Sequence, residues 1–325
     1  MEAQKSRARA AWSGSGDAAQ SEIWLGLRDK FGATEFLGYD EEQSDAKVIA
    51  LIKEGKQVDL LAAGEKGTIL FDKTPFYAES GGQQGDKGKL TKQSTLLANV
   101  LDTSKPADGL HAHKVHVTTD IVLDDTLTLE VDTNRRQRLK ANHSATHLLN
   151  AALRSVLGDH ITQKGSDVAE DKLRFDISHN KAMTADEIAK VETLVNQQIW
   201  QNTPASTKLM ATDDAIEAGA IAMFGEKYGD EVRVLTLGEK DENGRYFSVE
   251  LCGGTHVAAT GDIGLFKITS ESALAAGVRR IEAVTRDAAM DYLNQRDEML
   301  STLANNLKVG SDDLPDRLAQ LQADK

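Results

Sequence analysis

The feature that most constrains this chain is a spacing that occurs twice, in segments far apart: His143-Ser144-Ala145-Thr146-His147 and Cys252-Gly253-Gly254-Thr255-His256. A helix turns once every 3.6 residues, so His143 and His147 share one face and can hold one metal ion between them. The second segment contains the only cysteine of the 325 residues. No intramolecular disulfide can form, and in a reducing compartment such a thiol is a ligand or a reactive group. Three imidazoles and a thiolate suit zinc, which takes nitrogen and sulfur donors in a tetrahedron. Whatever the fold is, it has to bring a helix and a distant segment to one point.

The chain is long enough for two or three domains, each with its own core. Its formal net charge is -13, so any contact with nucleic acid must run through a local patch. No apolar run approaches the roughly 20 residues that cross a bilayer. Lys5, Arg7, Arg9 and Trp12 lack the apolar segment of a secretory signal, which points to a soluble, cytoplasmic protein.

In chain order, Ile23, Leu27 and Phe31 stand at helical spacing before Gly32, and residues 1–45 read as helical. Short apolar, β-branched runs at 48–52, 67–71, 96–101, 113–117 and 127–131 predict a small barrel or sandwich. Inside it, Gly81, Gly82, Gly85 and Gly88 make either a backbone cradle for an RNA phosphate or nucleotide, or a wide hairpin turn. His111, His113 and His116 cannot converge on a strand without a bulge, and read as solvated strand histidines.

A long helix follows, capped by Asp132 or Thr133 and stopped by Gly158. Projected on a wheel, Leu149, Leu153 and Val156 oppose Arg136, Lys140, His143, His147 and Arg154, which sets the histidines off the apolar face. Residues 133–165 hold six basic side chains against one acidic, a positive stripe suited to a polyanion. Residues 163–166 read as a loop, 173–177 as a strand, 184–202 as a helix and 215–222 as a short helix. Four further strands are expected at 232–237, 246–251, 263–270 and 278–285. Cys252 then falls at a strand end, with a Gly-Gly turn that offers free amides and leads to His256 at a helix start. Beyond residue 287 the chain reads as a helical hairpin broken at Gly310, and both ends look like parts of something larger.

Further stretches stand in the same order: Thr74-Pro-Phe-Tyr-Ala-Glu-Ser-Gly-Gly-Gln83, Gln163-Lys-Gly-Ser166, Leu173-Arg-Phe-Asp176, Ala222-Met-Phe-Gly-Glu-Lys-Tyr228 and Arg279-Arg-Ile-Glu-Ala283. With the two histidine motifs they resemble the editing region of the bacterial-type alanyl-tRNA synthetase family. Free-standing alanyl-tRNA editing proteins and the threonyl-tRNA synthetase editing domain share the histidine and cysteine signature. The resemblance runs from residues 7–12 to the C-terminal helices and makes this chain an internal fragment.

It implies an α+β fold: a helical end of a tRNA-recognition region at 1–45, a small β-barrel at 46–132, a two-layer α/β editing domain at 133–286 and a helical linker at 287–325. It also implies hydrolysis of serine or glycine esters of tRNA(Ala). Zn2+ would sit on His143, His147, Cys252 and His256, while ATP and Mg2+ belong to an aminoacylation domain outside this sequence. The implied partners are mischarged tRNA(Ala) and the rest of the synthetase, with no membrane. Gln163 matches the family's editing-pocket glutamine and Arg279 a family arginine linked to tRNA handling; Thr146, beside the metal face, is expected to be catalytic with Gln163, the Gly81-Gly82 loop to support the acceptor end, and Arg136 and Lys140, from the positive stripe, to touch tRNA. Arg280 can equally pair with Glu282. Four protein ligands fill a tetrahedral zinc. Either one is loosely held, or the ion becomes five-coordinate, or it only shapes the pocket. The contrasting expectation is a tRNA-binding module with a purely structural zinc.

Overall fold

In the computed structural model the described residues are 17–217, 219–221 and 229–323. The expected features at residues 7–12 and 222–228 lie outside them. Six antiparallel strands form the first unit: β1 (Gln43–Lys53), β2 (Lys66–Phe71), β3 (Gly88–Lys92), β4 (Thr95–Ser104), β5 (Ala112–Val117) and β6 (Thr126–Val131). Their order is β6-β3-β4-β5-β2-β1, and β1 pairs back onto β6, so the sheet closes into a barrel without free edges. Alternating side chains such as Val48, Ile69, Leu90, Val100, Val115 and Leu129 fill it. β3 was not among the expected strands, because Gly-Lys-Leu-Thr-Lys offers one apolar residue between charged neighbours.

α1 (Asp17–Phe31) lays Leu27 against the barrel's outer face, on Ala50, Ile52 and Leu70. The helix stops at Gly32, whose φ of +78° leaves the helical region, so the predicted helix to residue 45 is cut short.

His111 and His113 are not solvated but buried. His113 is wholly buried between Phe71 and Phe76, and its ring bonds Thr74 Oγ1 at 2.8 Å and Ile69 O at 3.2 Å. Burial pushes its pKa down to about 3. Only His116 is partly exposed as the sequence suggested.

α2 (Thr133–Leu157) leaves the barrel directly, with the Asp132 carboxylate accepting from Arg135 N at 3.0 Å and Gly158 ending it. It packs with α3 (Ala185–Trp200) against a four-stranded sheet ordered β7-β8-β13-β12: β7 (Gln163–Val168), β8 (Leu173–Ser178), β12 (Phe266–Ala275) and β13 (Val278–Thr285). A three-stranded sheet, β9 (Ser206–Ala211), β10 (Glu231–Lys240) and β11 (Tyr246–Leu251), completes this unit. Leu149, Leu153, Phe175, Val195, Leu237 and Ile281 meet in one core. β7 is a strand where a loop was expected, β9 was missed, and α4 (Thr212–Glu217) starts ahead of its predicted position. α5 (Arg286–Leu307) and α6 (Leu314–Ala323) form the predicted C-terminal pair.

The positive stripe is the main correction. α2 runs through the interior and 15 of its 25 residues are buried, so a two-faced projection does not describe it. Arg136 is wholly buried. Its Nε donates to Asp86 Oδ2 at 2.8 Å, Nη1 to Gly38 O at 2.9 Å and Nη2 to Pro75 O at 2.7 Å. It locks the barrel to α2 and presents no charge to a ligand. Arg135 pairs with Glu170, Arg138 with Asp287 and Arg154 with Asp159, while Lys140 stands 3.6 Å from Glu42.

Two outcomes follow for stability. Arg136→Met strands the Asp86 carboxylate and is expected to cost about 3–5 kcal/mol in urea unfolding, whereas Arg138→Met, at a half-exposed pair, costs under about 1 kcal/mol. Because folding depresses the His113 pKa from 6.5 to about 3, its contribution is complete above pH 6.5 and is lost as pH falls towards 3. Thermal melts from pH 7 to pH 4 should therefore fall less in His113→Gln than in the parent.

Candidate metal centre

Cys252 stands where β11 ends, its amide bonded to Arg233 O at 2.9 Å. The chain then passes through Gly253 and Gly254 without forming the expected helix, and His256 precedes only the 3-10 turn Thr260–Ile263. Val257 N donates to Ser144 Oγ at 3.2 Å, which fastens this loop to α2. The loop thereby meets the face carrying His143 and His147. One donor atom from each of His143, His147, Cys252 and His256 lies within 4.8 Å of the others. Cys252 Sγ is 3.5 Å from His143 Nε2 and 3.2 Å from His256 Nε2. Zinc bonds of about 2.3 Å to sulfur and about 2.0–2.1 Å to nitrogen, at tetrahedral angles, give a separation of about 3.5 Å.

The outer partners decide which nitrogens face inward. His143 Nδ1 bonds Gln83 Oε1 at 2.7 Å, His147 Nδ1 bonds Glu250 Oε2 at 2.6 Å and His256 Nδ1 bonds Ser144 Oγ at 3.3 Å. With each Nδ1 engaged, every Nε2 is left for the centre. His147 Nε2 is buried without a hydrogen-bond partner, an orphan that a cation would satisfy. Burial raises the Cys252 thiol, yet His143, His256 and His147 together outweigh it and hold the group well below its usual pKa. Burial would lower His147, but Glu250 and Cys252 lift it to about 10. Burial takes His256 down to about 3. A thiolate and a carboxylate beside three imidazoles form a donor set that fits Zn2+.

Sequence reasoning missed Gln83, Glu250 and Ser144. Gln83 is wholly buried and also donates through Nε2 to Thr255 Oγ1 at 2.8 Å, while its Oε1 accepts from Thr255 N at 2.9 Å. It lies in a quoted motif, directly after the glycines that drew attention instead. Glu250 did leave a signal: it is two residues before Cys252 on a strand, hence on the same face. Ser144 sits inside the first histidine motif.

The glycine loop turns tightly at Gly81 and Gly82, with Ser80 and Gln83 bonded backbone to backbone, in place of a wide hairpin. Gly82, at φ +85°, lies against β7, where a Cβ would meet Ser166 O at 2.6 Å. Val168 N donates to Gly82 O at 2.7 Å and Gln84 N to Val168 O at 3.1 Å. The loop thus straps the barrel to the second unit.

Other predicted residues sit apart from the cluster's bonds. Thr146 Oγ1 donates back to Asn142 O at 2.8 Å within α2. Gln163 opens β7 opposite Ile177, partly exposed. Arg279 pairs with Glu271 at 2.5 Å, and Arg280 pairs with Asp176 instead of Glu282, whose carboxylate holds Lys172. The Gly254 amide faces Cys252 Sγ at 3.4 Å and is not free for an anion.

A cavity of about 340 Å³ opens on the cluster. Phe36, Tyr39, Tyr77, Gly81, Lys105 and His111 line one side, and His143, Cys252 and Gly254 the other. Tyr39 OH donates to Gly253 O at 2.6 Å under the Arg233 guanidinium, 3.6 Å from the ring centre.

Barrel, two-layer unit and His/Cys cluster together define a candidate metal-binding protein. Residues 1–135 match the family model for tRNA synthetases class II (A), and residues 232–282 match the threonyl and alanyl tRNA synthetase second additional domain. Over 99% of its length the chain is 55% identical to an alanine–tRNA ligase of Sphingopyxis alaskensis, and 53% identical to those of Rhizorhabdus wittichii and Rhizobium meliloti. The chain belongs to the alanyl-tRNA synthetase family, and it spans about 36% of the length of these relatives.

The outer partners predict a measurable effect. Glu250→Gln and Gln83→Leu, with all four donors retained, should weaken zinc binding about 10–100-fold in chelator competition, with the folded baseline of the circular dichroism spectrum unchanged.

Proposed function

We propose that this chain is the editing part of a cytoplasmic alanyl-tRNA synthetase. In this reading it hydrolyses the ester that joins serine or glycine to tRNA(Ala), at a zinc ion held by His143, His147, Cys252 and His256. The observation that carries the reading is the cavity, whose wall includes two of the four donors, His143 and Cys252. A purely structural zinc, the contrasting reading, needs no such access, although four protein donors are the usual structural complement.

A second site answers a physical need. Glycine lacks one methyl group of alanine, worth about 1–3 kcal/mol, and a small pocket rejects the serine hydroxyl imperfectly. A zinc ion bound here would supply Lewis acidity towards the ester carbonyl or a water. The chain's own residues hold the donors and shape access to them. Gln83, Glu250 and Ser144 fix the three rings, while Tyr39 and Tyr77 line the cavity. Gly81 places backbone at the same wall. Thr146 and Gln163 remain proposed contributors to the pocket, and Lys140, Gly82 and Arg279 proposed tRNA contacts. Arg136 is better read as the buried lock of the barrel. The whole enzyme is read as joining alanine to tRNA(Ala) with ATP and Mg2+.

Incubation with seryl-tRNA(Ala) tests the reading. Ester loss should be fast with the zinc-loaded chain, slow after chelation, and near background in a folded Cys252→Ala variant, while alanyl-tRNA(Ala) is spared. Persistence of the seryl ester with a folded, zinc-loaded chain would leave the binding module as the better description.

A further inference from the structure

Four protein donors leave a tetrahedral zinc no open position, so chemistry at such an ion needs one donor that can yield. The bonds behind the three rings tell the donors apart. Gln83 Oε1 accepts from Thr255 N at 2.9 Å. A backbone N–H can only donate, so the amide end that faces Thr255 N and His143 is the oxygen. His143 Nδ1, 2.7 Å from that oxygen, therefore carries the proton, and its Nε2 keeps a lone pair for the centre. His147 is fixed in the same sense by a stronger partner. The Glu250 carboxylate accepts from its Nδ1 at 2.6 Å and is itself held by Asn150 Nδ2 at 2.9 Å. Both rings meet atoms that can only accept, which leaves each a single tautomer.

His256 is held differently. Its Nδ1 stands 3.3 Å from Ser144 Oγ, the longest of the three contacts, and that hydroxyl already accepts from Val257 N at 3.2 Å. A hydroxyl donates as readily as it accepts, so Ser144 suits His256 with the proton on either nitrogen and fixes neither. His256 is also partly exposed, where the other three donors are buried. Its position points the same way. Among the described residues His143 and Cys252 border the cavity, and His147 and His256 stand behind them. A group arriving from the cavity loosens the bonds on the far side, and of the two donors there only His256 lacks a carboxylate behind it.

We propose that His256 is the yielding ligand of this centre. His143, His147 and Cys252 form the permanent set, and His256 gives way when an oxygen donor enters from the cavity. Release moves no proton: the Nε2 lone pair parts from the ion while Nδ1–H stays on Ser144 Oγ. The proposal rests on the deacylase reading for its purpose, since a purely structural zinc has no use for a donor that yields.

Metal retention and histidine spectra test it without hydrolysis. In chelator competition His256→Ala should keep its zinc with an affinity lowered about tenfold, whereas His143→Ala and His147→Ala should each lose about a thousandfold. Should an alanine variant fail to fold, the parent decides alone. Proton–nitrogen correlation spectra of the histidine-labelled, zinc-loaded parent should give sharp, metal-bound Nε2 signals for His143 and His147, and a His256 signal broadened by exchange with its unbound form. Acetohydroxamate, a small oxygen donor, should move only the His256 signal towards that form. Equal losses across the three variants, or three equally sharp, metal-bound rings that acetohydroxamate leaves unchanged, overturn the proposal. A yielding His256 in a chain that spares seryl-tRNA(Ala) would sink the deacylase reading and leave the ranking of the ligands standing.

Discussion

The structure depends on three imidazole rings being held from behind. Each donates or accepts at Nδ1, to Gln83, Glu250 or Ser144, and so turns Nε2 towards one small volume shared with the Cys252 sulfur. Without those bonds the rings could flip, and a buried polar cluster would become a set of unsatisfied groups, each costing about 1–3 kcal/mol. The partners come from three places: a barrel loop, a strand and the helix itself. The cluster's geometry therefore depends on all three parts of the fold at once.

This explains why the barrel is more than a neighbour. Gln83 reaches from its glycine loop to both His143 and Thr255, and Arg136 reaches back from α2 into the barrel, to Asp86 and the carbonyls of Gly38 and Pro75. The two connections run in opposite directions across one joint. A guanidinium with its donors committed in a low-dielectric setting fixes geometry better than an exposed pair, whose partners keep their rotamer freedom. The ring orientation of His143 is thus set by an element outside the unit that supplies the four donors.

Much of this was legible in the amino-acid order, for identifiable reasons. The four donors could be found because each pair has a local spacing, and five barrel strands showed because alternation is local as well. β3 escaped because Lys89 and Lys92 mask its single buried leucine. The stripe on α2 was misread because a helical wheel sees only its own residues. The charges that neutralise it, Asp86, Glu170, Asp287 and Glu42, come from other parts of the chain. Gln83 was invisible for the same reason, its partner lying 60 positions away. The β5 histidines were judged by polarity, whereas a pair of phenylalanine rings and a threonine hydroxyl make His113 a core residue.

The two glycines after Cys252 look interchangeable in the sequence and are not. At Gly253 the nearest obstacle to an added methyl group is the Tyr39 hydroxyl, 3.9 Å off, an ordinary contact. At Gly254 the same methyl would land 2.2 Å from the His143 ring and 2.8 Å from Gln83 Oε1. Position 254 is therefore glycine to leave room for an imidazole, and not to bend the backbone. A library randomised at both sites would accept small side chains at the first and, at the second, return only the parent residue among variants that still load metal.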